Sequence, residues 1–503
     1  MNLKNSPLFF LFACLILSTF TYISCNNSKA KEGEVLAKTY CASCHLQPLP
    51  DDLPKNVWQY STLPYMGMMM GLDKEVENLP EILKTYTILK APQPLISQED
   101  FEKIKEYYLS NASESKDYAN MNFPKLEVNN QLFTAEDINL PSNNQTFPNF
   151  TCVKFDPRSK RILAGDQSNR VVWILNANGT LIKKLENQDA LTYVEAKGNQ
   201  YLFTYIGSTT QANPNTEGHV DLLNAQYQSK NILNKVKRPL EGLEANLDAD
   251  ASNELITCEF GFNEGGLAIW KKGRSGYEKH LIDSQTGCTS IQVKDFNKDG
   301  KLDILALFAQ GNERINLFIN KGNLTFESKT LLRFNPIWGS SSFDLVDVNQ
   351  DGQLDIVTTS GDNADFTTVL KPFHGIRIYE NKGDFQFREP IFIPQNGATK
   401  VMHADFDVDG DQDLLAISLF PNVTQNPQEQ ILFIENRKGQ WVPQGIPAFD
   451  HGRYAVMDLG DIDNDGDVDV LLGSHAVAKF PEGQFNPNWK NAKGLTILRN
   501  STK

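Results

Sequence analysis

A nine-residue acidic pattern recurs four times in this chain, beginning at Asp295, Asp347, Asp405 and Asp461. Each copy has side-chain oxygens at positions 1, 3, 5 and 9, a glycine at position 6, and a backbone carbonyl at position 7. A short loop with so many oxygen ligands suits a divalent cation of calcium size. The pattern therefore predicts about four bound Ca²⁺ ions. The alternative is a set of acidic turns that simply remain in water.

The predicted calcium ligands occupy positions 1, 3, 5, 7 and 9 of the four copies. They are Asp295, Asn297, Asp299, Lys301, Asp303, Asp347, Asn349, Asp351, Gln353, Asp355, Asp405, Asp407, Asp409, Asp411, Asp413, Asp461, Asp463, Asp465, Asp467 and Asp469. An EF-hand is excluded because position 12 is never glutamate and the flanking apolar runs are typical of buried strands. A fifth copy begins at Asn246, but Ala251 replaces its glycine, so no ion is predicted there.

The motif Cys41-Ala-Ser-Cys44-His45 has the spacing of a c-type haem attachment site. In such a site, two thiols bond to the haem and the adjacent imidazole binds the iron. Zinc binding and dithiol redox chemistry are the alternatives. Four methionines follow in residues 63–71, and Met66 is predicted as the sixth iron ligand, although any one of them could simply fill the core. Histidine and methionine together would leave no open iron position, which favours electron transfer.

A capped amphipathic helix is predicted over residues 97–109, with Ser97 and Asp100 at its start and Phe101, Ile104, Tyr107 and Tyr108 at its apolar positions. With the haem motif and the methionine-rich segment, residues 31–112 resemble a small class I cytochrome c. The resemblance implies an all-α domain with one covalent haem c.

The N-terminus has the features of an export signal. Lys4 precedes an apolar run over residues 8–20, which is too short to span a bilayer, and a small residue stands directly before Cys25. The segment resembles a bacterial lipoprotein signal. It implies a signal peptide at residues 1–24, lipidation of Cys25 and a tether at residues 25–30. The protein would then lie in the bacterial cell envelope, on the periplasmic side or the cell surface, with a lipid anchor as its only membrane contact. An uncleaved signal anchor is the alternative.

A length of 503 residues indicates two or three domains, or one large repeat array plus a smaller module. The formal net charge of -14 argues against nucleic acid and anionic lipid headgroups as partners. Four of the seven cysteines are in the signal, the lipidation site and the haem motif. The remaining three are Cys152, Cys258 and Cys288. An exported compartment permits a disulfide, but the sequence does not choose the pair.

Seven apolar strands, each followed by a turn, recur along the second part of the chain. Their starts at residues 171, 220, 267, 315, 376, 431 and 495 have the spacing of four-stranded propeller blades. We therefore predict a linker at residues 113–127 and an all-β seven-bladed propeller at residues 128–503. The seventh blade lacks an outer strand, and residues 126–140 are predicted to supply it and close the ring. Together with the acidic loops, this part resembles the FG-GAP or VCBS family of calcium-loop propellers, most specifically in blades four to seven.

Unusual polar residues are predicted on the rim opposite the acidic loops, where they could form a ligand face. They are Trp338, Asp362, Asp365, Lys371, His374, His451, Arg453 and His475. Ordinary solvated loops are the alternative.

Two functions remain open from the sequence. The first is an electron-transfer lipoprotein with a redox partner protein, whose propeller binds a glycan or another protein. The second is an oxidoreductase whose propeller holds the substrate while the haem accepts its electrons. The first is preferred because no motif for hydride or quinone chemistry is recognisable.

Overall fold

The computed structural model describes residues 30–114, 125–141, 147–211, 213, 216–361, 370–476, 489 and 493–503. The chain divides into two compact units, residues 1–121 and 122–503. The predicted signal peptide and Cys25 lie outside the described residues. Among those that are described, no helix is both long and apolar enough to cross a membrane.

The first unit is helical over residues 30–111. Its α-helices are α1 (residues 30–40), α2 (Lys55–Val57), α3 (Leu63–Met69), α4 (Asp73–Glu77) and α5 (Gln98–Asn111). A π-helical turn, Trp58–Thr62, joins α2 to α3, and the 3-10 turns are Cys41–Ser43, Pro50–Asp52 and Glu81–Leu89. The Ser97 hydroxyl accepts a hydrogen bond from the Asp100 backbone N–H at 3.1 Å, so α5 begins where the sequence predicted.

Helices α1 and α5 approach each other closely at Gly33. A Cβ atom added there would lie 2.0 Å from the backbone oxygen of Lys103, so only glycine allows this approach. Phe101, Ile104 and Tyr108 on α5 are buried, as predicted for its apolar face, whereas Tyr107 is only half-buried.

The second unit contains 29 described strands. They are β1 (Glu127–Val128), β2 (Phe133–Ile138), β3 (Phe150–Asp156), β4 (Arg161–Asp166), β5 (Val171–Asn176), β6 (Leu181–Leu185), β7 (Ala190–Lys197), β8 (Gln200–Gly207), β9 (Gly218–Leu223), β10 (Ser229–Val236), β11 (Pro239–Ala245), β12 (Glu254–Glu259), β13 (Gly266–Lys272), β14 (Tyr277–Asp283), β15 (Cys288–Lys294), β16 (Asp303–Phe308), β17 (Arg314–Gly322), β18 (Thr325–Arg333), β19 (Ser340–Val346), β20 (Asp355–Ser360), β21 (Gly375–Tyr379), β22 (Ile391–Pro394), β23 (Ala398–Ala404), β24 (Asp413–Ser418), β25 (Ile431–Arg437), β26 (Gln440–Gly445), β27 (Tyr454–Gly460), β28 (Asp469–Ser474) and β29 (Leu495–Asn500).

These strands form seven sheets, which confirms the seven-bladed propeller. Blades one to six are β3–β6, β7–β10, β11–β14, β15–β18, β19–β22 and β23–β26, each in chain order, and blade seven is β27, β28, β29 and β2. Each predicted apolar strand is the third strand of its blade. The core lies between adjacent blades, where apolar side chains of facing sheets interdigitate.

Strand β2 closes the ring, as predicted for residues 126–140. It pairs antiparallel with β29 from Phe133 opposite Asn500 to Ile138 opposite Leu495. The same segment also contains β1, which pairs in parallel with β26 of blade six, a contact that the sequence did not predict. One short segment therefore joins two neighbouring blades.

Inner-strand carboxylates link several blades around the central channel. Each of four carboxylates accepts a hydrogen bond from a backbone N–H of the next blade. The donor and acceptor pairs are Phe155 to Asp458 (2.8 Å), Glu244 to Glu195 (3.0 Å), Ile291 to Glu241 (2.8 Å) and His403 to Asp344 (3.1 Å). Each bond joins the inner strands of two adjacent blades. Burial raises the pKa of Glu241 to about 7.

Candidate functional site

Each of the four acidic loops joins the first and second strands of its blade. In blade four, the Asp295 carboxylate accepts the N–H groups of Asp299 (3.1 Å) and Gly300 (2.8 Å), and Asn297 accepts the Asp299 N–H at 2.9 Å. The Asp299 carboxylate accepts the Lys301 N–H at 2.9 Å. These bonds curl the loop around the Asp295 carboxylate.

The loops of blades five and six repeat the same hydrogen bonds. Asp347 and Asp405 each accept the N–H groups of positions 5 and 6, at distances between 2.8 and 3.1 Å. In each loop the chain adopts a left-handed conformation at position 6, with a φ of 86° at Gly300, for example. A Cβ atom added to Gly300 would meet nothing within 4 Å, so backbone conformation and not crowding requires glycine there.

The aspartate at position 9 anchors each loop to its blade. Asp303 is buried, and its two oxygens accept the N–H groups of Phe296 (3.1 Å) and Asn320 (2.8 Å). Asp355, Asp413 and Asp469 make the equivalent pairs of bonds. A carboxylate used in this way still has lone pairs for a cation.

Ligand atoms for a cation come together most clearly in blades six and seven. Asp405, Asp407 and Asp413 form one group whose carboxylate oxygens lie within 4.8 Å of one another, and Asp461, Asp463 and Asp465 form another. One oxygen each of Asp411, Asp461 and Asp467 is buried and accepts no hydrogen bond within the described part of the chain. Buried carboxylate oxygens that accept no hydrogen bond fit a bound cation, and a site made only of oxygen ligands fits calcium.

The fifth, degenerate loop holds a lysine among its carboxylates. Asp248, Asp250 and Glu254 form a third acidic group, but the Lys271 ammonium hydrogen-bonds to Asp248 and, at 3.0 Å, to Asp250. Ala251 at position 6 does not share the left-handed conformation of the four glycines. The Lys271 ammonium therefore places a positive charge among the carboxylates of this loop.

Sequence reasoning missed a set of asparagines that connect the loops. In three places an asparagine side-chain amide donates to a backbone oxygen of the preceding blade. The pairs are Asn320 with Leu247 of blade three (2.7 Å), Asn436 with Val348 of blade five (3.0 Å) and Asn500 with Phe406 of blade six (2.8 Å). Each asparagine lies near the end of the third strand of its own blade and donates to the residue at position 2 of the preceding blade's loop. The recurring asparagine was visible in the sequence, but it was interpreted only as a turn residue.

The Cys41-to-His45 motif lies at the C-terminal end of α1. Cys41 begins a 3-10 turn, Cys44 is exposed, and His45 is half-buried. The His45 Nδ1 atom lies 2.7 Å from the Leu46 backbone oxygen. A proton on Nδ1 donated to this carbonyl leaves the lone pair on Nε2, which is the arrangement of a metal-binding histidine. Burial, and then the charge of Cys44, raise the pKa of the Cys41 thiol to about 11.

Two aromatic side chains hold the segment after His45 in place. The Tyr108 hydroxyl donates to the Pro48 backbone oxygen at 2.9 Å, and the Trp58 indole N–H donates to that of Pro50 at 2.7 Å. The two rings lie 4.4 Å apart. The segment that follows the motif is therefore hydrogen-bonded to α5 through Tyr108 and to the π-helical turn through Trp58.

The four methionines have different environments. Met68 is fully buried against Leu79 and Leu83, and Met69 packs on the same cluster. Met66 and Met70 are half-buried. Core packing therefore accounts for Met68, while Met66 stays the predicted iron ligand.

The described residues of the predicted ligand face have different local contacts. Trp338 lies in blade five with its ring 3.8 Å from the Arg377 guanidinium carbon, and the His374 N–H donates to the Lys371 backbone oxygen at 3.2 Å. Arg453 donates to the backbone oxygens of Leu419 (2.6 Å) and His475 (3.2 Å).

His451 instead contacts Asp137 on the outer strand β2 at 3.1 Å. Asp362 and Asp365 lie outside the described residues.

Burial dominates the electrostatics of these groups. Lys371 and His374 are only 3% and 2% exposed, and Arg453 is fully buried. Burial lowers the pKa of Arg453 to about 9, and burial together with the charge of Arg453 lowers that of His475 to about 4. At neutral pH, His475 is therefore an uncharged imidazole. A common ligand face formed by all these residues stays a prediction.

The acidic loops match a known repeat. The FG-GAP-like repeat family matches residues 295–358 and 405–472, which are the loop regions and adjoining strands of blades four to seven. The chain contains FG-GAP-like repeats. Comparison with curated proteins finds none that matches this sequence.

Solved structures similar to this chain share little sequence with it. The N-terminal domain of Nup159 is 11% identical, with 74% of this chain and 97% of that chain covered and a TM-score of 0.42. Sqt1 of Saccharomyces cerevisiae is 12% identical, with 70% and 84% covered and a TM-score of 0.43. A putative gluconolactonase is 11% identical, with 64% and 96% covered and a TM-score of 0.36.

Proposed function

We propose that this protein is a lipid-anchored c-type cytochrome of the bacterial cell envelope that exchanges electrons with a redox partner protein. Its calcium-stabilised propeller would serve as the platform for a ligand or partner. The observation that carries the proposal is the Cys41-to-His45 motif at the end of a helix, with the His45 Nδ1 atom directed at a backbone carbonyl.

The residues of the first unit have the right chemistry to hold haem c. Cys41 and Cys44 would bond to the haem, while His45 and Met66 would bind the iron. The bound haem would supply one-electron transfer. The Leu46 carbonyl orients the imidazole, and Trp58 and Tyr108 fix the chain that follows it.

Haem attachment can be tested with the full chain expressed alongside cytochrome c maturation proteins. We expect one haem per chain and a haem stain that survives denaturing electrophoresis. Cys44→Ala should abolish the stain, whereas Cys152→Ala, which removes a buried propeller thiol, should retain it. If Cys44→Ala retains the haem stain as Cys152→Ala does, attachment at this motif is contradicted.

The iron ligand can be tested by comparing methionine variants. Met66→Ala should alter the ligand-sensitive absorption spectrum and lower the reduction potential, since methionine ligation raises that potential. Met69→Ala, from the same helix, is the matched control and should leave both unchanged. The opposite pattern would assign the ligand to Met69.

We propose that the four acidic loops bind calcium and stabilise the propeller. The donor-free carboxylate oxygens of Asp411, Asp461 and Asp467 support this role, as does the lysine that takes a cation's place in blade three. Elemental analysis of the purified protein should find about four calcium ions per chain. Asp465→Ala should reduce that number by one, while Asp250→Ala in the degenerate loop should not.

The platform role can be distinguished from an oxidoreductase role by adding candidate substrates. An electron-transfer protein should keep its haem oxidised when sugars or alcohols are added without a reduced partner. Reduction of the haem by one of these compounds would instead place a substrate site on the protein.

A further inference from the structure

Two buried cysteines meet at the boundary between blades three and four. Cys258 lies on β12 of blade three, and Cys288 is the first residue of β15 in blade four. Both are fully buried, and their sulfur atoms are 3.1 Å apart. They share one apolar cluster with residues of both blades, including Ile256 and Ile291.

The backbone keeps these two positions together. The Gly287 N–H, next to Cys288, donates to the Phe260 backbone oxygen at 2.8 Å, two residues beyond Cys258. Gly287 has a φ of 92°, which allows the chain to turn from this contact into β15. The juxtaposition of the two thiols thus rests on the main chain and not only on the choice of side-chain rotamers.

Equivalent positions also meet elsewhere in the ring. By strand register, Gly473 in blade seven corresponds to Cys258, and Phe150 in blade one corresponds to Cys288. A Cβ atom added to Gly473 would lie 2.9 Å from the Phe150 Cβ atom. Close approach of these two positions is therefore a property of the blade boundary, and it brings paired cysteines within the range of a disulfide.

We propose that Cys258 and Cys288 form a disulfide that covalently joins blades three and four. Two thiols lose two protons and two electrons as the S–S bond forms. A protein disulfide of the export compartment accepts them and is reduced to a dithiol. The proposal requires export of the chain, as its N-terminus predicts, but does not require that it bind haem or calcium.

Other roles for the pair are less compatible with the structure. Within the described residues, no group of three or more metal-ligating side chains includes either cysteine. Burial raises the pKa of the Cys258 thiol well above its usual value, so a reduced pair would be unreactive in the folded protein. Oxidation must then occur before the two blades pack together. Cys152, in the cluster of blades one and two, remains the unpaired thiol.

The first experiment maps the thiols of the full chain after export into an oxidising compartment. The protein is denatured with an alkylating reagent but without reductant, digested, and analysed by mass spectrometry. We expect alkylated Cys152 and one cross-linked peptide pair containing Cys258 and Cys288. Cys152→Ala should retain the cross-link. Separate alkylation of Cys258 and Cys288, or a bond that includes Cys152, would overturn the proposal.

A second experiment measures the effect of the bond on stability. The full chain is reduced in denaturant and refolded with reductant present, and its melting temperature is compared with that of the oxidised protein. We expect reduction to lower the melting temperature by a few degrees, because a cross-link restricts the unfolded chain. The Cys258→Ala/Cys288→Ala variant should melt at the same temperature under both conditions. Identical melting of the oxidised and reduced wild-type protein would overturn the proposal.

Discussion

Replacing Phe133 with alanine would test how the propeller ring is closed. Phe133 is the first residue of β2, the strand that completes blade seven, and its side chain is only 4% exposed. Its ring lies 5.7 Å from that of Phe406 and 6.5 Å from that of Phe433, both in blade six or its acidic loop. The side chain thus joins the closing strand to the neighbouring blade.

The expected loss follows from this burial. Truncating a buried phenylalanine to alanine costs about 3–5 kcal/mol, which combines lost transfer free energy with the cavity that remains. The loss of two edge-to-face aromatic contacts favours the upper part of that range. Because the backbone pairing with β29 is retained, the variant should still fold.

The assay is urea unfolding of the full chain at saturating calcium, followed by circular dichroism. Thr134→Ala is the matched control, since Thr134 is the next residue of the same strand and is exposed. Its free energy of unfolding should change by about 0.5 kcal/mol or less. Equal losses in the two variants, or no loss in Phe133→Ala, would refute the idea that β2 closes the ring through its buried face.

Three further predictions concern the ions and the buried charges. Removing calcium should lower the melting temperature of the protein. An ion that binds only the folded state adds about 2.7 kcal/mol per site to the free energy of unfolding at a hundredfold excess over Kd. An unchanged melting curve after verified removal of calcium would contradict this prediction. Lys271→Met should lower the free energy of unfolding slightly and make it sensitive to calcium, whereas Lys272→Met, its exposed neighbour, should do neither. Burial raises the folded-state pKa of Glu429 to about 7, so the wild-type protein should lose stability as the pH rises from about 4.5 to 7. Glu429→Gln should show a smaller loss over that window in denaturant titrations, and an equal loss would show that Glu429 does not titrate there.

Several features could be predicted from the sequence because they depend on near neighbours in the chain. The third strand of every blade was predicted correctly, since a buried strand followed by a turn is a local pattern. The acidic loops were also identified correctly as FG-GAP-like, because their glycine and aspartates act within nine residues. The start of α5 followed from Ser97 and Asp100 for the same reason.

Features that join distant residues required the tertiary structure. The parallel pairing of β1 with blade six and the asparagine bridges between loops link residues far apart in the chain, so no local period reveals them. The structure also gives His451 and Arg453 different hydrogen-bond partners, although only one residue lies between them in the sequence.

The sequence by itself determined which segments become strands, turns and candidate ligand loops, because backbone conformation responds mainly to adjacent side chains. Only the tertiary structure decided which of those segments meet. Lys271 enters the acidic loop of its blade, and Cys258 meets Cys288, because the register of strands and the packing of neighbouring blades bring them together. Such contacts depend on the position of the whole sheet, which no short stretch of sequence specifies.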